Sequence, residues 1–121
     1  MEFIDSQPIY MQIADSFCEN ILLKKWKENE RIPSVREVAV IMEVNPNTAM
    51  RAFVYLQEKE IIFNKRGIGY FVAKGGYAKA LDLKREDFIN KEMPVFFRTM
   101  KLLDFSCQEM EKLFEETEKQ S

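Results

Sequence analysis

Two helix starts that lie very close together constrain the fold more than any other feature of the sequence. Residues 34–37, Ser-Val-Arg-Glu, form the S-x-x-E pattern of a capped helix start, and Asn45 followed by Pro46 marks a second start. About three residues separate the two helices, which is too short for antiparallel packing and predicts a helix-turn-helix. The apolar side chains of the first helix predict its buried face, which comprises Val38, Ala39, Ile41 and Met42.

A helix before this pair and a hairpin after it complete the predicted domain. Pro8 opens a segment in which apolar residues recur at every fourth position, namely Ile9, Ile13, Phe17 and Ile21. Residues 61–63 and 69–72 are short β-like runs, and the segment between them carries two cations and a glycine. Helix, helix-turn-helix and hairpin follow in the order of a winged helix, so we expect residues 1–74 to form a winged helix-turn-helix head.

Residues 75–121 are predicted to form a short helical tail after a domain boundary at Gly75 and Gly76. A second S-x-x-E pattern, at residues 106–109, marks the start of the last helix. Pro94 falls within the preceding helical stretch and removes the amide that would bond to Asn90, so we expect a kink or two separate helices there. The predicted fold class is therefore mainly α with a small β-hairpin wing.

Composition argues against several functional classes. The chain has no histidine, and Cys18 and Cys107 lie far apart in apolar helical patterns without companion metal ligands, which indicates structural roles. We expect no metal and no cofactor, and an enzyme is disfavoured because the sequence has neither a nucleotide loop nor a paired catalytic group. The apolar runs are too short to cross a bilayer and the N-terminus has no basic start, so a cytoplasmic protein without membrane contact is expected.

The middle third of the chain carries an excess of positive charge. The net charge is −2, yet residues 31–74 contain seven basic and four acidic residues and form the only basic third. Lys65 and Arg66 at the hairpin tip suit a DNA backbone or minor groove, and Gly67 lets the tip bend and approach closely. The alternative is that a basic turn is simply solvated.

The two predicted helices of the helix-turn-helix carry further candidate groups. Asn47 and Thr48 lie on the first turn of the second helix, where free amides and the positive dipole end suit phosphates, and Arg51 follows one turn later. Arg36 opposes the dipole of its own helix, which favours a role toward a partner such as DNA. Helix capping accounts for Asn45 and remains an alternative role for Asn47 and Thr48.

Four ordered blocks of sequence within residues 7–74 resemble the signatures of the GntR family of winged-helix regulators: residues 8–13, 31–39, 44–48 and 67–72. The Asn-Pro-Asn-Thr form at 45–48 and the short tail look most like the YtrA-like branch. This resemblance implies a dimeric repressor, often of operons that encode membrane transporters, with DNA contacts from the helix-turn-helix and the wing. The predicted DNA-binding residues are Ser34, Arg36, Asn45, Asn47, Thr48, Arg51, Lys65, Arg66 and Gly67.

The sequence also departs from the family it resembles. Four residues stand where the family usually has glycines: Lys25, Asn29, Glu43 and Glu60. Glu43 and Glu60 are expected to end helices without an easily left-handed residue, at a cost in stability. Met50 occupies a place where many members carry a base-reading arginine, so their operator preference does not transfer to this chain.

The tail is too short to hold an effector. Fewer than fifty residues follow Gly76, and two amphipathic helices cannot by themselves enclose a metabolite, so no small-molecule site is expected. One chain also cannot bury so many apolar tail residues, whereas a second copy can cover them and supplies two-fold symmetry. The predicted dimerisation residues are Phe88, Phe96, Phe97, Met100, Leu103, Leu113 and Phe114.

These patterns predict a homodimeric, sequence-specific regulator, a repressor that binds a palindromic double-stranded DNA operator. Winged helices serve other purposes too, and a DNA-binding adaptor for plasmid or phage replication or partition remains the alternative. Binding at a defined intergenic operator would favour regulation, and binding at replication-origin repeats would favour the adaptor.

Overall fold

The computed structural model describes residues 7–120. These residues form two compact units, and the boundary along the chain lies between Lys84 and Arg85. The first unit contains α1 (Ile9–Leu22), α2 (Val35–Met42), α3 (Pro46–Glu58), β1 (Ile62–Lys65) and β2 (Gly69–Val72). Next along the chain are α4 (Gly76–Asp87), a π segment (Phe88–Glu92), α5 (Met93–Leu102) and α6 (Cys107–Gln120). The fold is mainly helical with one hairpin, as the sequence predicts. Among the described residues, no helix has both the length and the apolar character that a membrane span requires.

The side chains that mark the helix starts in the sequence also cap them in the structure. The Ser34 hydroxyl accepts the Glu37 N–H at 3.1 Å and the Glu37 carboxylate accepts the Ser34 N–H at 2.8 Å, which completes a capping box on α2. The Asn45 Oδ1 accepts the Asn47 N–H at 2.7 Å, and Pro46 lies in the first turn of α3. Both predicted starts of the helix-turn-helix are confirmed.

The hairpin pairs its two strands antiparallel, with Phe63 opposite Phe71. β1 begins at Ile62, one residue later than predicted, and continues to Lys65, whereas β2 has the predicted bounds. The segment before α2 borders the other edge of β2, because the Ile32 N–H donates to the Tyr70 carbonyl at 2.9 Å. The wing is thus fixed to the start of the helix-turn-helix through backbone hydrogen bonds.

The core of the first unit is built around Phe17 of α1 and Phe53 of α3. These side chains are 1% and 0% exposed, and their rings meet edge to face with centroids 5.2 Å apart. Tyr70 of the wing contacts Phe53 in the same manner at 4.6 Å. Ile13 and Ile21 of the predicted α1 stripe are also buried. One aromatic cluster therefore joins α1, α3 and the wing.

The predicted buried face of α2 is only partly correct. Val38 and Ala39 are buried, but Ile41 and Met42 are 67% and 40% exposed, so the prediction that they pack in the core is wrong. α2 is only eight residues long, and the backbone adopts a left-handed conformation at Glu43. Only one turn of the apolar face of α2, with Val38 and Ala39, therefore reaches the core. Of the two cysteines, Cys18 is buried and Cys107 is exposed.

The core extends past the boundary expected at Gly75 and into α4. Ala80 is 0% exposed, and a Cβ on Gly76 would lie 2.7 Å from the carbonyl oxygen of Ile61, which leaves no room for a side chain. Further along α4, the Lys84 ammonium donates to an Asp15 carboxylate oxygen at 2.9 Å. The first turns of α4 therefore pack within the same unit as the helix-turn-helix.

Several residues other than glycine have backbone conformations in the left-handed region of φ and ψ. Glu43 and Glu60 have φ of 56° and 61°, as predicted for the ends of their helices, and Asn29 has a φ of 69°. The backbone of Lys25 is not left-handed, whereas the preceding Lys24 has a φ of 62°. Side chains at such positions crowd their own backbone, so each one stores some strain.

Replacing Glu43 by glycine is expected to stabilise the protein by about 1 kcal/mol, because glycine adopts the left-handed conformation at the end of α2 without a Cβ clash. Chemical denaturation would measure the change. The matched control is Lys25→Gly, at a position without positive φ, where added chain entropy should leave stability unchanged or lower. An unchanged or decreased stability of Glu43→Gly would show that strain at this position is negligible.

Pro94 does not break the tail into two helices. Helical residues continue without a gap from α4 through the π segment into α5, whose first turn contains Pro94. The Met93 N–H donates to the Phe88 carbonyl five residues earlier, which is the wider spacing of a π turn. The interruption expected at the proline takes the form of this π segment, directly before the residue that lacks an N–H.

The apolar side chains of the second unit are left open to solvent. Of the predicted dimerisation residues, Met100 is half-buried and the others are 44% to 64% exposed. Within residues 85–120, no side chain is fully buried. The last helix begins with the predicted capping box, in which Ser106 and Glu109 bond reciprocally at 2.8 and 3.1 Å. The second unit therefore has a capped last helix but no core of its own.

Candidate DNA-binding surface

The N-terminus of α2 is capped, and its first turn also carries the unpaired cation of Arg36. Two hydrogen bonds, from the Ser34 backbone and from its hydroxyl, lower the pKa of Glu37, and the charge of Arg31 lowers it further. Glu37 therefore stays ionised and satisfies the start of the helix. Arg36 is exposed, and within residues 7–120 no hydrogen bond or ion pair engages its guanidinium.

The first turn of α3 carries polar groups that the helix itself does not use. The capping role of Asn45 is confirmed by its bond to the Asn47 backbone. The side chains of Asn47 and Thr48 accept and donate no hydrogen bond among the described residues, so capping does not account for them. Asn47 is exposed and Thr48 half-buried. The backbone N–H groups of this turn are already engaged by Asn45, so it is these two side chains that remain available to a phosphate or a base edge.

Arg51 lies one turn further along α3 and is held in place by an aromatic ring. Its guanidinium carbon lies 4.2 Å from the centroid of the Tyr10 ring, and Tyr10 in turn contacts Tyr55 edge to face. Tyr10 is half-buried and packs at the edge of the core. The structure shows that it also orients Arg51, a pairing between distant residues for which the sequence carries no periodic signal.

The wing presents its cations at a tight turn. The Ile68 N–H donates to the Lys65 carbonyl at 2.8 Å, and Gly67 within this turn has a φ of 78° that favours glycine. The Lys65 ammonium lies 4.7 Å from the centroid of the Phe71 ring, while Arg66 is exposed without a partner in the described part of the chain. The turn thus displays two cations above a short, rigid hairpin.

All nine predicted DNA-binding residues lie in the first unit, on α2, α3 and the wing or beside them. α2 packs against α3, and β1 packs against α3 from the wing. α2 and the wing therefore flank α3, and these three elements carry the candidate cations and polar side chains. Such an arrangement can bind a polyanion and place short polar side chains against its bases.

Comparison with known proteins identifies the family. The family model described as bacterial regulatory proteins, gntR family, matches residues 9–72. A crystal structure of a GntR-family transcriptional regulator from Bacteroides thetaiotaomicron is 47% identical, with a TM-score of 0.77 over 93% of this chain and 97% of that one. The HTH-type transcriptional repressor YtrA of Bacillus subtilis (strain 168) is 39% identical over 69 residues, which are 57% of this chain and 53% of that protein.

A solved complex relates the same domain to DNA. The DNA-binding domain of AraR, crystallised with operator ORR3, is 26% identical and covers 60% of this chain and 86% of its own, with a TM-score of 0.56. The family match extends through the helix-turn-helix and the wing. This chain belongs to the GntR family of bacterial regulatory proteins, in which it is a DNA-binding transcription regulator similar to the YtrA-like branch and not an enzyme.

Proposed function

We propose that this regulator is a cytoplasmic homodimer that represses transcription by binding a palindromic operator. The head (residues 1–74) reads the DNA, and the tail (residues 75–121) joins two copies. The first turns of α4, at the start of the tail, pack with the head. The observation that carries the proposal is the set of unpaired polar groups on the first turn of α3, Asn47 and Thr48, followed by the ordered Arg51. These groups suit base edges and phosphates in a major groove.

The tail supports the homodimer. Its helices expose a series of phenylalanine and leucine side chains and bury none of them within residues 85–120. Apolar surface of this extent usually marks an interface, and a second copy of the same chain would present the same surface. A two-fold dimer would place two heads on two half-sites, which is the symmetry that a palindromic operator has. Repression is proposed from the likeness to the repressor YtrA.

Selection of bound fragments from the genomic DNA of the source organism, followed by footprinting, would test the proposal. We expect enrichment of an intergenic site with two inverted half-sites about one helical turn apart, and lower transcription from its promoter when the protein is added. Enrichment of replication-origin repeats would instead support an adaptor role. Binding without sequence preference would contradict the proposed regulator.

Replacing Arg36 by alanine is expected to weaken operator binding by about 1–3 kcal/mol, a loss of about 5- to 150-fold, because this exposed guanidinium has no partner within residues 7–120. The melting temperature should stay the same or rise slightly, because the cation opposes the dipole of α2. Fluorescence anisotropy with an operator duplex would measure the affinity. If the variant lost stability yet bound DNA as tightly as the wild type, Arg36 would be a structural residue.

A further inference from the structure

Arg31 lies where the wing meets the start of the helix-turn-helix. Its backbone forms an antiparallel bridge with Phe71, beside the hydrogen bond from the Ile32 N–H to the Tyr70 carbonyl. Directly opposed residues of neighbouring strands point to the same face, so the side chains of Arg31 and Phe71 share one face. The Lys65 ammonium also lies over the Phe71 ring. Two cations therefore flank one aromatic ring on the outer face of the wing.

The guanidinium of Arg31 occupies space that a side chain at Gly69 would take. A Cβ built on Gly69 would lie 3.0 Å from Nε, 3.3 Å from Nη2 and 3.4 Å from Cζ of Arg31. These distances place the guanidinium directly beside the wing backbone at Gly69. Its charge also acts on the capping carboxylate of Glu37, so the group lies within electrostatic reach of the first turn of α2.

No group within the described residues pairs with the Arg31 guanidinium. Arg31 is exposed, and among residues 7–120 it forms no hydrogen bond and no ion pair. The nearby carboxylate of Glu37 is engaged by the Ser34 N–H instead. A cation that is positioned by backbone pairing and by a glycine, yet left without a counterion, has its donors free for an external anion.

We infer that Arg31 binds a phosphate of the DNA backbone, between the groups that contact DNA from α2 and those that contact it from the wing. The inference rests on the proposed DNA-binding surface and adds to it a residue that sequence analysis did not include. The planar guanidinium offers parallel donors that match two phosphate oxygens, and phosphate contacts carry no sequence information. Arg31 therefore contributes affinity that is independent of base sequence.

The test compares Arg31→Gln and Arg31→Lys with the wild-type full-length protein by titrating an operator duplex at several salt concentrations. Arg31→Gln should weaken binding about tenfold and reduce the slope of log affinity against log salt by about 0.9 for each bound protomer, since one phosphate contact is lost. Arg31→Lys should retain that slope because it keeps the charge. Thermal unfolding of each variant would confirm that the fold is intact.

Lys59→Ala is the matched control, because this exposed cation lies just beyond the opposite end of α3, about 20 Å from its first turn. Its removal should leave both the affinity and the salt slope unchanged. An unchanged affinity of Arg31→Gln would overturn the inference. A weaker affinity with an unchanged slope would also overturn it, because Arg31 would then position the wing without contacting phosphate. If the wild type binds all duplexes equally, the operator proposal fails, whereas the phosphate contact can still be measured on any duplex.

Discussion

Replacement of Phe96 by glutamate is expected to separate the proposed dimer into monomers and to weaken operator binding by about 10²–10⁴-fold. Phe96 is 51% exposed on α5 and contacts Phe97 with ring centroids 6.0 Å apart, so it belongs to the apolar surface that a second copy would cover. A carboxylate there would have to be buried without a partner, at a cost of several kcal/mol. Two linked heads bind two half-sites with an avidity that a single head lacks, and this avidity is what the variant loses.

Sedimentation would measure the assembly state of this variant, and anisotropy its operator affinity. Arg98→Glu is the control, since it changes an exposed residue about 200° around α5 from Phe96 and alters the charge by more. We expect this control to remain a dimer with nearly wild-type affinity. If Phe96→Glu also sedimented as a dimer, the tail surface around Phe96 would not be the interface, and the proposed assembly would need another surface.

Replacement of Phe53 by alanine should lower the free energy of unfolding by about 3–5 kcal/mol. Phe53 is 0% exposed and meets the rings of Phe17 and Tyr70 with centroids 5.2 and 4.6 Å away, so it joins α1 and the wing to α3. Its loss would leave a cavity among three elements and remove two edge-to-face contacts. A loss of this size takes away a large share of the stability of a small domain.

Urea denaturation monitored by circular dichroism would measure the difference for Phe53→Ala. The adjacent Val54→Ala provides the control, because Val54 is 43% exposed on the same helix and should cost no more than about 1 kcal/mol. Equal destabilisation by both variants would mean that helix propensity dominates over core packing at these positions.

Local chemistry explains why so much of the fold could be predicted from the sequence. Capping by Ser34, Asn45 and Ser106 requires partners only two or three residues away, so the pattern of residue types contains the whole interaction. The left-handed conformation predicted for Glu43 and Glu60 follows the same local logic, whereas that of Lys24 after α1 was not predicted. The order of the elements followed from the change from helical to strand-like patterns along the chain, and the family resemblance agreed with it.

Contacts between distant residues are what the sequence could not reveal. The stacking of Arg51 on Tyr10 and the placement of Arg31 over Gly69 depend on how α1, α3 and the wing meet in space. The exposure of Ile41 depends on how soon α2 ends, which helical spacing does not specify. The sequence pattern did not predict the wider π turn ahead of Pro94, because a proline within a helical stretch is compatible with several backbone conformations.

The π segment makes the effect of a single-codon deletion depend on where in the tail it falls. A π turn holds more residues than an α turn, so losing one residue between Phe88 and Glu92 could be absorbed by a return to α-helical spacing. The same deletion in the regular part of α5 would rotate every later side chain by about 100° and shift Met100 out of line with Phe96. Lineages of this protein are therefore expected to tolerate the loss of one residue at 88–92 and to reject the same loss a few codons later.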